Sequence, residues 1–297
     1  MQNLTSEAPL DSINGIDHVV VSVHNLEHAA QTWAGFGFTL APKGWHSAHV
    51  GTANYTIMLA DDYIELIGVI TPTDNNISTR DYLAIREGLD RTAFATTDAE
   101  RGIAALKARG IDGTGPLEFS RPVTLPDGRR TDARFRTFAW PRTERPGNVR
   151  LFACEHLTRD AVWQPHLTRH ANTTVRIDHV EVLSADPVAA SAYMTQLTGF
   201  PAVMEPDGAL RIATSPAGSP SRSAGYVFLD APTLAKRYPE LPLGVLPKEG
   251  AISIALGVAD IGKAKAALGS HAVDLGQGRI AVPPGVANGV ILAFSQE

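Results

Sequence analysis

Ile16-Asp17-His18-Val19 recurs as Ile177-Asp178-His179-Val180, 161 residues further along the chain. Each copy opens an alternating apolar run, Val19, Val21 and Val23 in the first and Val180 and Val182 in the second. Each run is followed by a helix-like stretch that closes in Gly-Phe, at Gly37-Phe38 and Gly199-Phe200. A weaker echo pairs Thr97-Asp98 and Ala104-Ala105-Leu106 with Ala259-Asp260 and Ala266-Ala267-Leu268, at an offset of 162. Self-similarity of this kind fixes architecture before any single motif does. The echoes divide the chain into four units starting near residues 15, 91, 176 and 251. Such long copies, so few in number, fit paired domains better than a solenoid.

The first unit reads as strand, helix and three strands. Residues 16–23 alternate as a strand does, and Asn25 is a good N-cap for a helix to about residue 36. Extended stretches follow at 38–43, 48–60 and 62–69. The second unit has a strand at 92–97, a helix from Asp98 to about Arg109, and strands at 119–126, 131–140 and 148–154. Pro126-Asp127-Gly128 suits a tight hairpin turn between two of them. The third has a strand at 176–183, a helix near 187–198, and strands near 201–214 and 224–229. The fourth has a strand at 251–258, a helix at 260–269, and strands to the end. Loops are expected at 215–220 and 239–250, which are rich in Pro and Gly.

The expected fold class is therefore α+β: four tandem βαβββ modules paired into two curled-sheet domains. Residues 1–156 form the first domain, 157–175 an ordered linker and 176–297 a second, degenerate copy.

Composition narrows the function classes. With 297 residues, 44% of them hydrophobic, the chain can bury one large core or two ordinary ones. A net charge of −5 gives no general field for nucleic acid. No window approaches the ~18 apolar residues of a membrane span. Residues 1–14 are polar and acidic, unlike a signal peptide. The lone Cys154 forms no internal disulfide and no Cys-based zinc motif. These features lead us to expect a cytoplasmic protein that meets a small-molecule substrate, not nucleic acid or membrane, with a homodimer as the candidate assembly.

Asp17-His18-Val19-Val20-Val21 and Tyr63-Ile64-Glu65-Leu66-Ile67, set in the first and last strands of such a module, resemble the vicinal oxygen chelate superfamily. That group includes glyoxalase I, extradiol dioxygenases and bleomycin-resistance proteins. The run Gly51-Thr52-Ala53-Asn54, with Cys154-Glu155-His156 and Trp163-Gln164-Pro165, is most similar to its glyoxalase-like branch. The resemblance implies that paired modules curl around a cavity with a divalent metal (zinc, iron, manganese, nickel or cobalt) at its floor. It also implies that ligands come from first and last strands, in the half spanning 15–156.

Strand parity gives an independent view of the same residues. If Val19, Val21 and Val23 lie against the helix, His18 faces the concave side. If Ile64 and Leu66 are helix-facing, Glu65 joins it. A buried acid needs a partner, and either a metal or an Arg such as Arg134 or Arg136 would serve. A third ligand is harder to find, because the second module's opening strand has no His and Arg91 cannot ligate. His156 is the favoured third group, with Glu155 behind it. In the second half His179 and Glu181 share a face, but the later strands bring no matching acid.

Other candidates lie on the hairpins. Asn54, Thr52 and His49 are expected to bind substrate, and Tyr55, beside Glu65, to take part in catalysis through its phenol. His46 is a candidate proton shuttle. Arg130, Arg134 and Arg136 share parity, so Arg134 and Arg136 would hold an anionic substrate group if their face is concave and would be solvated if it is not. The leading functional reading is a glyoxalase-like metal-dependent isomerase, lyase or dioxygenase. In it His18, Glu65 and His156 hold the ion, and the ion polarises vicinal oxygens of a small metabolite. The alternative is a metal-free protein that sequesters a small molecule, as the bleomycin-resistance members do.

Overall fold

The opening alternation makes a strand because one face of it is apolar throughout. In the computed structural model, which describes residues 8–214 and 224–297, β1 spans Ile16–Val23. Val19, Val21 and Val23 are fully buried in the main core, each such side chain contributing about 1.5–3 kcal/mol. Asn25 then caps α1 (Leu26–Gly35), its side chain accepting from the His28 amide. Leu26, Ala29, Ala30 and Trp33 form the stripe that α1 buries. The first module closes with β2 (Gly44–Trp45), β3 (Thr52–Met58) and β4 (Tyr63–Val69).

A short helix α2 (Ile77–Leu83) leads into the second module. It contains β5 (Gly88–Ala95), α3 (Ala99–Ala108), β6 (Thr114–Thr124), β7 (Arg130–Ala139) and β8 (Arg150–His156). Asp98 caps α3 as Asn25 caps α1. Gly102 lets α3 lie directly on Phe138, where any Cβ would collide with the ring. After α4 (Arg159–Val162), the second half repeats the plan. Its third module has β9 (Thr174–Leu183), α5 (Pro187–Thr198), β10 (Ala202–Met204), β11 (Leu210–Ile212) and β12 (Gly225–Leu229). Then come α6 (Ala231–Arg237), β13 (Gly250–Val258), α7 (Ile261–Leu268), β14 (Val273–Gly276), β15 (Arg279–Val282) and β16 (Ile291–Gln296).

The two eight-stranded sheets have the same strand order, β2-β3-β4-β1-β5-β8-β7-β6 and β10-β11-β12-β9-β13-β16-β15-β14. Within each, the first strands of the paired modules run antiparallel side by side at the centre. The expected α+β class of paired βαβββ modules is the observed one. The helix-side faces of both sheets share one continuous apolar core, running from Val19 and Phe94 to Tyr226, Phe228 and Phe294. Thr92 and Tyr226 are hydrogen-bonded across it.

Several boundaries differ from the sequence expectation. No strand forms at 38–43, and β5 begins at Gly88 rather than at residue 92. The expected loop at 215–220 lies outside the described residues, as do residues 1–7. The segment after β8 is docked on the first half. Trp163 Nε1 donates to the Leu59 carbonyl at 3.1 Å, and His170 bridges the Thr39 amide and the Met58 carbonyl.

The two sheets differ on their concave sides. In the first, edge strands β2 and β6 approach, with Arg121 lying against Gly44, and the sheet curls around an open cavity. In the second, Leu234 of α6 and the following Tyr238 and Leu241 fill that space against Val227, Leu229, Ile252 and Ile291. Glu181 is buried there between Arg237 (2.8 Å) and Tyr238 (2.6 Å).

Candidate active site in the first curled sheet

The central pair β1–β5 carries two interruptions of its ladder. The register skips Asp17 on β1, between Ile16↔Phe94 and His18↔Ala93. It skips Asp90 on β5, between Val20↔Arg91 and Val21↔Leu89. A bulge of this kind re-aims the extra side chain. The same pairing relates residues 73 apart, so that Leu89-Asp90-Arg91 occupies in module two the place of Ile16-Asp17-His18 in module one. In the second half the skipped residues are Val175 and Asp178 on β9 and Ile252 on β13.

Asp17, fully buried, accepts from His18 Nδ1 at 2.6 Å and lies 3.0 Å from His156 Nε2. Burial alone would raise its carboxyl, but the His156 and His18 rings outweigh that and lower it to about 2. With Nδ1 engaged, the His18 ring turns Nε2 toward Glu65 Oε2, 3.8 Å away, and stacks on Tyr63. Glu65 Oε1 accepts from Asn54 Nδ2 at 2.6 Å. Burial pushes the Glu65 carboxyl up, yet His18, His46, Asn54 and Arg91 together hold it below its ordinary value. It is an ionised carboxylate at neutral pH. His46, bonded through Nδ1 to Thr52 Oγ1 at 2.7 Å, has its pKa lowered chiefly by burial.

Asp90 plays toward arginines the part that Asp17 plays toward histidines. It accepts from Arg91 Nη1 at 3.2 Å, Arg150 Nε at 3.0 Å, Arg150 Nη2, and Ser22 Oγ at 3.1 Å. Register puts Glu65, Val20, Arg91 and Arg150 in one row across β4, β1, β5 and β8. At the usual strand spacing, the Cα atoms of Glu65 and Arg91 are roughly 9.5 Å apart. His18, Glu65, Asn54, Thr52, Arg91 and Arg150 all line a cavity of about 730 Å³, in the size range of small-molecule sites.

The expected site residues are thus divided by the structure. His18, Glu65, Asn54 and Thr52 face this cavity together. Tyr55 does not; it sits on the helix side of β3 and donates to Glu27 at 2.8 Å, so its expected catalytic part is corrected. Arg134 and Arg136 are also corrected. Their face of β7 is the outer one, where both pair with Glu118 and Arg136 also meets Glu155, whereas Phe135 and Thr137 point inward. His49 is exposed on the turn before β3, outside the cavity lining.

The metal set His18, Glu65 and His156 does not converge. Asp17, turned inward by its bulge, sits between His18 Nδ1 and His156, while Glu65 faces the other ring nitrogen. His156 lies among Phe135, Trp163 and Tyr63. The positions that mirror His18 and Glu65 in module two hold Arg91 and Phe152, and neither can ligate. A substrate-chelating ion at the cavity floor therefore does not fit the donors present. Among the described residues, Asp17, Cys154 and His156 do bring three donor atoms within 4.8 Å of one another. In that group the Cys154 thiol is pushed well above its ordinary pKa by burial and by Asp17, and stays protonated.

Paired βαβββ modules, with a His and a Glu from first and last strands facing one cavity, place the protein in the vicinal oxygen chelate class. Residues 16–198 match the family profile described as Glyoxalase-like domain. The chain belongs to that family. No curated protein matches it. Its fold is similar to that of a hypothetical protein from Staphylococcus aureus, with a TM-score of 0.67 at 14% identity over 95% of this chain and 99% of that one. It is also similar to a mutant of 4-hydroxymandelate synthase from Streptomyces coelicolor, with a TM-score of 0.59 at 12% identity over 96% and 93%. Homoprotocatechuate 2,3-dioxygenase from Arthrobacter globiformis aligns with a TM-score of 0.56 at 12% identity over 100% and 84%. No helix among the described residues is long and apolar enough to cross a membrane.

Sequence reading missed Arg91 as a site residue and Asp90 and Arg150 altogether. One signal was present: Leu89-Asp90-Arg91 repeats the spacing of Ile16-Asp17-His18.

Proposed function

We propose that the protein is a glyoxalase-like enzyme that moves a proton on a small carbonyl compound bound in the first-half cavity. Glu65 is the base. On a 2-hydroxycarbonyl compound it takes the proton from the hydroxyl-bearing carbon. The C–H electron pair forms a C=C bond to the carbonyl carbon, the C=O π pair moves onto oxygen, and an enediolate forms. The negative charge then faces Arg91, whose guanidinium supplies the stabilisation that a Lewis acid supplies elsewhere in this class. Glu65 returns the proton to the former carbonyl carbon while the hydroxyl proton passes to the other oxygen. The C=O bond thus re-forms at the adjacent carbon, an isomerisation that needs no oxidant or other co-reactant. Asn54 and His18 hold the carboxylate in position, and Asp17 fixes the His18 ring.

The observation that carries this reading is the row itself: an ionised carboxylate and a guanidinium flank Val20 on neighbouring strands and line the same cavity. A panel of aldehydes, ketones and 2-oxo acids incubated with the protein in D2O tests it by proton NMR. At least one α-C–H signal is expected to wash out, and a panel left untouched would sink the proposal. The donor geometry adds a second expectation. Protein purified without chelator carries substoichiometric transition metal, and a strong chelator leaves exchange unchanged. A full equivalent of metal that falls away in His18→Ala and Glu65→Ala would overturn the guanidinium role.

A further inference from the structure

We infer that the substrate is an apolar, preferably aromatic, monocarboxylate whose carboxylate docks on Arg91 and Arg150. This rests on the reading of the cavity as the substrate site. Charge is the first argument. Arg91, Arg121, Arg142 and Arg150 line the cavity, against the carboxylates of Glu65 and Glu144. The imbalance is sharpest at the inner pair, where two guanidiniums share the single carboxylate of Asp90. One positive charge is left over there, which suits a monoanion better than a phosphate dianion.

Geometry is the second argument. Both Arg91 bonds, to Asp90 and to Thr79 Oγ1 at 3.2 Å, are made by Nη1. Arg150 spends Nε and Nη2 on Asp90. Among the described residues, Nε and Nη2 of Arg91 and Nη1 of Arg150 have no protein partner. Asp90, itself buried and turned inward by the bulge, holds both side chains in place. The result is a fixed pair of forks with donors to spare, the arrangement that recognises a planar carboxylate. Burial, and then crowding with Arg91, push Arg150 down to about 10, far enough above neutrality for it to keep its charge.

The third argument concerns the rest of the cavity. Phe119 stacks on Phe135 with ring centroids 5.1 Å apart, and Leu117, Trp140 and Phe152 line the same space. Leu117 and Phe119 are large apolar side chains left 65% and 45% exposed on β6, an arrangement better explained by a flat apolar ligand than by water. Module two has thus replaced the Asp–His pair of module one by an Asp–Arg pair, and so converts half of a symmetric floor into an anion anchor.

Calorimetric titration of the full chain with benzoate, its neutral isostere benzamide, and inorganic phosphate tests the inference. Benzoate is expected to bind at least about tenfold more tightly than benzamide, the loss expected when charge-assisted bonds are removed. Phosphate is expected not to displace it. Arg91→Gln should weaken benzoate by about tenfold or more and benzamide by much less, since the amide loses only a neutral-acceptor hydrogen bond. Arg91→Lys, which keeps the charge without the fork, should fall between. Glu65→Gln should bind benzoate at least as well as the wild type, although it loses proton exchange. That contrast separates the carboxylate anchor from the proposed chemistry. Equal affinity for benzoate and benzamide, displacement by phosphate, or wild-type benzoate affinity in both Arg91 variants would overturn the inference. Should Arg91→Gln fail to fold, the benzoate-to-benzamide ratio and Arg91→Lys decide.

Discussion

Glu65→Gln lowers the rate of α-proton exchange by about 10²–10⁴-fold, the usual worth of a positioned general base. The amide cannot accept a proton, yet it has the same shape and can still meet Asn54, which approaches Oε1 at 2.6 Å. The loss should appear in kcat, with little change in the KM of whichever carbonyl compound the wild type exchanges. The fold should lose only a little stability. Burial disfavours the carboxylate, but its surroundings hold its pKa below the ordinary value, so the folded state gains from the charge that the isosteric amide lacks. A cooperative melt only slightly below that of the wild type, with lost exchange, is therefore the expected signature. Asn54→Ala should cost less, since it only loosens the carboxylate. Exchange at full rate in Glu65→Gln would mean that another group is the base.

The scaffold could be read from the sequence because it is written twice. Ile-Asp-His-Val at residue 16 and again at 177 fixed the modules, and Asn25 and Asp98 placed the helices after the first two opening strands, as Asp186 and Asp260 do in the structure for the other two. The site was only half legible. Parity put His18 and Glu65 on the concave face because β1 and β4 alternate regularly beyond Asp17. Strict alternation on β3 would also have excluded Tyr55, since Thr52, Asn54 and Thr56 face the cavity and Ala53 and Ile57 the core. Arg134 and Arg136 could not be decided, because alternation separates two faces without saying which is concave. Asp17 and Asp90 were beyond its reach altogether. Each sits in a bulge, and a bulge breaks the period on which the parity argument depends. The bulge at Asp17 is also why His156 was grouped with the wrong partners. It inserts a carboxylate between the two imidazoles.

The second half keeps the same floor but seals it, and that difference carries the other large effect. Arg237→Ala should destabilise the protein by about 3–5 kcal/mol, the cost of leaving a buried charge without its partner. Glu181 is 1% exposed and accepts from Arg237 Nη1 at 2.8 Å and from the Tyr238 hydroxyl at 2.6 Å. Arg237 also holds Glu205 at 2.6 Å and Asp207 at 2.7 Å, so its removal takes a cationic partner from three carboxylates at once, leaving Glu205 with Arg211 and Glu181 with Tyr238. For a chain of this size the loss is a fall in melting temperature of the order of 10 °C. The dependence on pH has a definite sign. Burial would raise the Glu181 carboxyl, but His179, Tyr238 and Arg237 bring it down to about 2, below the ordinary 4.5 of a glutamate. A carboxyl depressed in the folded state adds stability above its unfolded pKa, and that stability is lost as pH falls toward the folded value. The gap between wild type and Arg237→Ala should therefore be widest near neutrality and shrink between pH 4.5 and about 2. Glu181→Gln in the Arg237→Ala background should recover part of the loss at neutral pH, because the charge left stranded is then gone. Calorimetric melting of the three proteins across that range measures all of this. A gap that does not change with pH, or no gap at all, would show that the packing of Leu234, Tyr238 and Leu241 holds the second sheet closed without help from the ion pair.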